Sequence, residues 1–485
     1  MRAGDGAARW RGAAALCVLA AVAGLSGCAR YGDRVPGAPV AVPAAYAEAG
    51  AAANATAARI GRWWERFGDP SLDALVAAAL RHNPGLGQAL ARLRQAEARL
   101  RVAGAPLLPT LDASGELSRD KQTGFFGPTT GTNYRYSLAA GYELDLWGKL
   151  RNRRKAARFE AGAAREDAKA LFLSLTYQVA DLYFEARETA ARHTLAERRA
   201  AVAAEILRRV EARYREGLVD AGEVYRARRD LAAAETARAA LAAESAAARH
   251  ALAVLTGRFP AQLEALPGGP LPAPPPLPAV GLPSDLLVRR PDIEAALLRI
   301  RARDAELGAA VADRFPSVNL LATLGESRVD YGAGAVTGPF WRLAADLALP
   351  LVDGGRRRAE AARSRAAVAE AFEAYREALL RAAREVEDAL ARERAEAGHA
   401  AAAERDWAAA RLAADREANR YRAGLSDWLS LQQARLAALA AESDLAAARR
   451  AWLSARLGLV RALGGDWMDE TLARAQGTEG DGEYR

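Results

Sequence analysis

From residue 84 onward the chain switches between two hydrophobic periods. Leu86, Leu90, Leu93 and Leu100 fall at helical spacing behind Pro84, and a proline suits the first turn of a helix. Pro106 and Pro109 stop that helix, because the residue before a proline is pushed to extended backbone. The period then drops to two. Leu111, Ala113, Gly115 and Leu117 alternate with Asp112, Ser114, Glu116 and Ser118. Beyond a glycine-rich tip at 124–131, Tyr134, Tyr136, Leu138, Ala140, Tyr142, Leu144 and Leu146 alternate with Arg135, Ser137, Gly141, Glu143 and Asp145. The pattern predicts a hairpin within 108–146 with one apolar and one polar face. Residues 150–215 contain no proline and only Gly162. Rich in Ala, Arg, Glu and Leu, they predict one helix of 66 residues, roughly 100 Å long. A helix of that length must lie along other long helices. Gly217 closes it as a left-handed cap, and a return helix follows over 223–255. The short helix and the return helix together supply the length to stack end to end along the long one.

The same series of elements recurs 207 residues later. Asn83-Pro84-Gly85-Leu86 returns as Arg290-Pro291-Asp292-Ile293, and Leu108-Pro109-Thr110-Leu111 as Phe315-Pro316-Ser317-Val318. Trp147-Gly148-Lys149 returns as Gly354-Gly355-Arg356, and Arg213-Tyr214-Arg215-Glu216-Gly217-Leu218 as Arg420-Tyr421-Arg422-Ala423-Gly424-Leu425. Proline, glycine and tyrosine anchor the match, so alanine-rich composition does not account for it. The unit is far longer than a solenoid repeat and makes each half a complete module. The expected organisation is a signal segment at 1–27, an N-terminal anchor and equatorial segment at 28–83, and a first repeat at 84–257. A connector with nine prolines fills 258–290. The second repeat spans 291–464, with strands within 316–350 and a long helix at 357–422. A disordered tail is expected over 468–485.

Composition narrows the class. With 51% hydrophobic and 26% charged residues, the chain is neither disordered nor a polytopic helical membrane protein. Two cysteines and His82, His193, His250 and His399 offer neither a disulfide scaffold nor a metal-ligand spacing. A net charge of +8 over 485 residues does not call for nucleic acid. The N-terminus carries a different signal. Arg2, Arg9 and Arg11 precede an apolar run from Gly12 to Leu25, which ends in Leu25-Ser26-Gly27-Cys28. The run suits a signal segment and is short for a bilayer span. Small residues before a cysteine resemble a bacterial lipobox, which makes Cys28 the expected lipid anchor. Cleavage there lowers the formal charge from +8 to +6 and leaves Cys28 as the lone cysteine of the mature chain.

The four strands, each about 9 to 13 residues, are long enough to cross a bilayer when tilted. An open sheet edge cannot face lipid, and bacterial barrels need at least eight strands. The chain is therefore expected to oligomerise, to eight strands as a dimer or twelve as a trimer. The long helices would share the symmetry axis, and polar inward faces imply a watery lumen.

Several stretches resemble the TolC-like outer-membrane efflux factors, in particular their OprM/NodT-type lipoproteins. They are Trp63-Trp64, Phe67-Gly68-Asp69-Pro70-Ser71-Leu72, Tyr142-Glu143-Leu144-Asp145-Leu146-Trp147-Gly148-Lys149, Arg289-Arg290-Pro291-Asp292-Ile293, Phe315-Pro316-Ser317, Asp353-Gly354-Gly355-Arg356 and Arg420-Tyr421-Arg422-Ala423-Gly424. The resemblance implies a mainly α fold with a membrane β-barrel, a homotrimer with twelve strands and a twelve-helix α-barrel. It also implies a periplasmic adaptor, an inner-membrane pump of the resistance-nodulation-division type, no catalytic chemistry and no cofactor beyond the lipid. Ala29 after Cys28 favours the outer membrane. By the same resemblance Arg420, Tyr421 and Leu429 match a periplasmic gate, with Gly217 and Gly424 at the helix-turn tips. Gln433 stands where the family often carries an aspartate, so Asp427 is either its substitute or an ordinary helix N-cap. Arg151, Arg153, Arg154 and Lys155, matched by Arg356, Arg357 and Arg358, put positive charge at helix N-termini, where it opposes the macrodipole. Their expected partners are acidic phospholipid headgroups or carboxylates such as Glu160 and Glu166. A type I protein-secretion duct shares the implied fold, and a structural coiled-coil lipoprotein is the alternative outside transport.

Overall fold

A computed structural model describes residues 43, 45–48, 60–124, 127–264, 266, 268–277, 290–330 and 334–477. Cys28 with the signal segment, part of the proline-rich connector and residues 478–485 lie outside that set. A 3-10 turn at Trp63–Phe67 leads into α1 (Pro70–His82) and α2 (Pro84–Gly104). The hairpin β1 (Thr110–Gly124) and β2 (Gly127–Leu144) is followed by α3 (Lys149–Arg215) and α4 (Ala221–Leu255). The second half repeats the series as α5 (Pro291–Ala312), β3 (Ser317–Asp330), β4 (Ala335–Ala348), α6 (Arg356–Arg422) and α7 (Trp428–Leu463). Helix α8 (Met468–Gly477) closes the described chain. The fold is mostly helical, and no described helix is long and apolar enough to cross a membrane.

Two compact units divide these elements. One holds residues 94–163 and 296–375, with the sheet; the other holds 164–295 and 376–477 together with the described residues before Arg94. In the sheet unit the strands run in the order β1-β2-β3-β4, all antiparallel. β1 pairs with β2 from Thr110↔Gly141 to Gly124↔Gly127, and β3 with β4 from Ser317↔Ala348 to Asp330↔Ala335. The offset of 207 carries the first register onto the second. β2 joins β3 from Thr132↔Asp330 to Leu144↔Val318. Since side chains alternate across a strand, this register gathers Leu111, Leu117, Tyr136, Leu138, Leu324, Trp341, Leu343 and Leu347 on one face. All of them are exposed, Trp341 to 77%. The opposite face gathers Asp112, Ser114, Glu116, Arg135, Ser137, Asn319, Thr323, Arg342 and Asp346. There Ser114 and Ser137 share a hydrogen bond of 2.9 Å. Among the described residues β1 and β4 each have one partner and one open edge.

In the helical unit Phe172, Val179, Tyr183 and Phe184 of α3, Leu72 and Val76 of α1, and Leu453, Leu457 and Leu459 of α7 are fully buried. Asp69 caps α1 by accepting from the Ser71 and Leu72 amides at 3.0 and 3.4 Å. Its second oxygen accepts from the Tyr183 hydroxyl at 2.6 Å and from Arg187 at 2.9 Å. Burial, and then the Asp69 carboxylate, push the Tyr183 hydroxyl up to about 12.

The shorter helices meet end to end at two joints. At the first, Asn83 Nδ2 donates to the Leu255 carbonyl of α4 at 2.9 Å. At the second, Arg290 Nη1 donates to the Ala462 carbonyl of α7 at 3.2 Å. Both donors and both acceptors are 207 residues apart.

The tail expectation needs correction. Met468–Gly477 is helical, with Trp467, Met468 and Leu472 buried. Trp467 packs edge-on against Trp64 at 4.9 Å, and Asp469 meets Lys169 at 2.6 Å. Polar composition masked three apolar residues that dock one short helix. The equatorial segment also contains a full helix, α1, announced by Asp69-Pro70 and by Leu72, Leu75, Val76 and Ala79 at helical spacing. The strands begin just after Pro109 and Pro316, which have no amide to give a ladder.

Candidate functional site

Two places bring the predicted site residues together: the base of the sheet and the tips of the helix hairpins. At the base, a cleft of about 310 Å³ is lined by Glu143, Asp145, Trp147, Lys149, Asp313 and Arg357, among others. Trp147 stacks on Phe315 with centroids 5.1 Å apart and donates from Nε1 to the Pro316 carbonyl at 2.6 Å. The start of α3 is thereby fixed to the start of β3.

The basic helix starts are offset by carboxylates. Asp145 accepts from the Leu150 and Arg151 amides at 3.0 and 2.8 Å and from Arg151 Nε at 3.1 Å. Asp353 accepts from the Gly355 and Arg357 amides at 3.0 and 3.2 Å and pairs with the Arg357 guanidinium. The Arg357 amide, more than any other group, holds the Asp353 carboxyl below its usual range. Arg357 also meets Asp313 at 3.1 Å, and Lys149 meets Glu143 at 2.5 Å. An anion at a helix N-terminus is favourable, so these aspartates answer the macrodipole. Glu160 and Glu166 serve elsewhere, with Arg303 at 3.4 Å and Lys169 at 2.8 Å. Arg153, Arg154, Arg356 and Arg358 are exposed. Sequence reasoning passed over Asp145, Asp313 and Asp353. The available signal for two of them was a carboxylate a few residues ahead of a basic helix start.

The tips share one backbone. Gly217 and Gly424 sit at φ 73° and 74°. The Leu218 amide reaches the Arg213 carbonyl at 2.9 Å, and the Leu425 amide reaches the Arg420 carbonyl at 2.8 Å. These are the bonds that end a helix through a left-handed glycine. Asp220 and Asp427 then cap the return helices through the Glu223 and Ser430 amides, at 3.0 and 2.9 Å.

Their side chains differ. In the first tip Val210, Val224 and Ala227 form a small buried cluster with Ile206, Leu207 and Val219 against it. In the second, Arg420 pairs with Glu417 at 3.3 Å and donates to the Leu425 carbonyl at 3.2 Å. Glu417 also accepts from the Ser426 hydroxyl. Arg209 lies over the Trp428 ring at 4.0 Å. Tyr421 and Gln433 are exposed, Leu429 is half-buried, and Gln432 is buried with Arg435 beside it. Both oxygens of Asp427 are taken by Ser430, by its amide and by its hydroxyl at 2.8 Å. The Ser430 amide chiefly holds this carboxyl below the usual range.

The sequence matches the outer membrane efflux protein family (OEP) over residues 75–258 and 282–465, one match for each half. The chain belongs to the outer membrane efflux protein family. It is 33% identical over 436 residues to the pyoverdine export outer membrane protein OpmQ of Pseudomonas aeruginosa, covering 88% of this chain and 92% of that protein. It is likewise 33% identical over 385 residues to the fusaric acid resistance protein FusA of Burkholderia cepacia, covering 74% of this chain and 70% of that one. Its fold superposes on the outer-membrane channel OprN with a TM-score of 0.79 and 29% identity, covering 89% and 98% of the two chains. As a member of this family the chain is an outer-membrane efflux channel, not an enzyme. Among the described residues no cluster of His, Cys, Asp and Glu could hold a metal.

In this efflux channel the second tip carries the candidate gate residues, Arg420 and Tyr421 at the end of α6 and Leu429 and Gln433 at the start of α7. Asp427 is engaged as a helix cap.

Proposed function

We propose that this channel is the exit duct of a tripartite efflux system. Three copies close a twelve-stranded barrel that continues into a twelve-helix tunnel. A periplasmic adaptor links the duct to an inner-membrane pump of the resistance-nodulation-division type. Cys28 carries the lipid that anchors each copy to the outer membrane. Transport energy comes from the pump, and the duct opens and closes passively.

The observation that carries this reading is the sheet. Four strands expose a continuous apolar face, keep a polar face opposite, and leave an unpaired edge at each end. Such edges are intolerable in lipid unless another chain completes them, and the polar face suits a water-filled lumen. The names of the relatives, one for pyoverdine export and one for fusaric acid resistance, favour small organic cargo over secreted proteins.

At the gate, Arg420 and Tyr421 lie on one side of the turn and Leu429 and Gln433 on the other. On this reading the constriction is more apolar and amide-lined than carboxylate-lined, with Gln433 in place of an aspartate and Asp427 serving as the cap of α7. Of the rim cations, Arg151 and Arg357 are held inside the chain, while Arg153, Arg154, Arg356 and Arg358 meet lipid phosphates of the inner leaflet.

Gene deletion tests the function. Inhibitory concentrations of a panel of small organic toxicants should fall, by roughly fourfold or more for the true cargo, and return on complementation. No change across the panel, with secretion of a protein lost instead, would overturn the small-molecule reading. Planar-bilayer recordings test the gate. Gln433→Asp should raise cation selectivity, and Asp427→Ala should leave it unchanged.

A further inference from the structure

Resting on the reading that the polar face of the sheet lines a watery lumen, we propose that Arg135, Phe340 and Arg342 form a docking site there for planar aromatic anions among the cargo. Among the described residues of the four strands, Phe340 is the one aromatic side chain on the polar face. Tyr134, Tyr136, Tyr142 and Trp341 all belong to the other face.

The sheet makes room for this ring. Phe340 pairs with Gly325, Gly325 with Ser137, and Ser137 with Ser114. That row across the sheet therefore holds no other large side chain. The ring leans over Gly325, where a Cβ would stand 2.9 Å from Phe340 Cζ and would run into the Tyr136 carbonyl oxygen. The ring is thus folded toward the wall instead of standing across the bore, and it stays half-buried.

Two cations bracket the ring. Arg135 lies in the neighbouring row toward the hairpin tips, with Cζ 5.7 Å from the ring centroid, within the range of a cation–π contact. Arg342 follows two residues further along β4 on the same face. They are the two basic residues that the described strands place on the polar face. Neither is fully engaged. Glu116 stands 3.8 Å from Arg135, beyond hydrogen-bond reach, and among the described residues Arg342 has no ion-pair partner.

An aromatic acid fits this arrangement by its chemistry. Its ring can stack on Phe340 while its carboxylate takes the free N–H groups of Arg135, and Arg342 attracts the same charge from the other side. A saturated acid of the same size keeps the charge attraction and loses the stacking. Glu116 opposes an anion and keeps the site weak. A conducting site has to be weak, because what binds must also leave.

Planar-bilayer recordings of the full-length channel, with probes added on the extracellular side, test the site. 2-Naphthoate should reduce the current at a concentration about fivefold below that needed by decahydro-2-naphthoate, which has the same charge and no π-face. Phe340→Leu should erase that difference, and Phe340→Tyr should keep it. Arg135→Gln should weaken block by 2-naphthoate about fivefold, and Glu116→Gln should strengthen it. Equal block by the two acids in the wild type, or a difference that survives in Phe340→Leu, would overturn the site. A charged thiol reagent tests the lumen separately. It should cut the current through Ser137→Cys and spare Leu138→Cys. The reverse result would overturn the lumen reading, and the site with it. A response at Ser137→Cys together with equal block by the two acids would remove the site and leave the lumen standing.

Discussion

Asn83 and Arg290 occupy the same place in the two halves and close the same kind of joint by different chemistry. Asn83 is neutral. It donates to Leu255 and accepts from the Leu86 amide at 3.0 Å, so it serves as a cap on two helices at once. Beside it Gly257, at φ 71°, brings α4 so close that a Cβ there would stand 2.3 Å from the His82 carbonyl oxygen. The second joint is ionic. Arg290 is buried, donates to Ala462, and pairs with Asp292 at 2.8 Å and with Glu385 of the long helix α6 at 2.7 Å. Burial pulls its pKa down, but Asp292 and Glu385 outweigh that and the net direction is up. The first joint is closed by backbone proximity and the second by charge. Duplication preserved the geometry and left the means of holding it free to diverge.

That contrast can be broken from either side. The largest effect should come from Gly257→Ala, where both the positive φ and the approach to His82 oppose a side chain. A loss of about 3 kcal/mol or more is expected, measured by thermal unfolding in detergent. Arg290→Asn, which copies the first joint into the second, should cost about 2–3 kcal/mol, because Glu385 and Asp292 lose their cation. Adding Glu385→Gln should recover part of it, and a fully additive double variant would refute the ionic account. Asn83→Ala should cost only about 1 kcal/mol.

The smallest effects belong to the tips. Asp427→Ala should speed amide exchange at Ser430 more than Asp220→Ala does at Glu223, since Asp427 also holds the Ser430 hydroxyl. Because the folded carboxyl of Asp427 lies below its ordinary value, its support is complete at neutral pH. It is lost only as the pH falls through that depressed value. An unchanged protection factor at Ser430, taken against the intrinsic exchange rate at each pH, between neutral and strongly acid solution would contradict this.

What was legible in the sequence follows range. The duplication showed through Pro84 and Pro291, Gly217 and Gly424, and Tyr214 and Tyr421, because backbone constraints leave few residue choices. The hairpin faces showed through period two. The Arg290–Glu385 pair did not show, since it joins residues far apart in sequence and no local pattern marks either partner. Asp313, which meets Arg357 from just beyond the end of α5, was hidden in the same way. The helix after Trp467 was missed because three buried side chains set its fate, while its composition looked like a tail.

One consequence of the two-part chain is arithmetic. A ring of three such chains, as proposed above, has six places but only two kinds of occupant, alternating. Arg226 and Gln433 are counterparts under the offset of 207. Each arginine in that circle would be flanked by amides and never by another arginine, so three charges, not six, would face one another. Six identical half-length parts, each with arginine at that position, would bear the full repulsion. Two unlike halves in one chain let that position carry a cation in one place and an amide in the next, which six identical parts could not do.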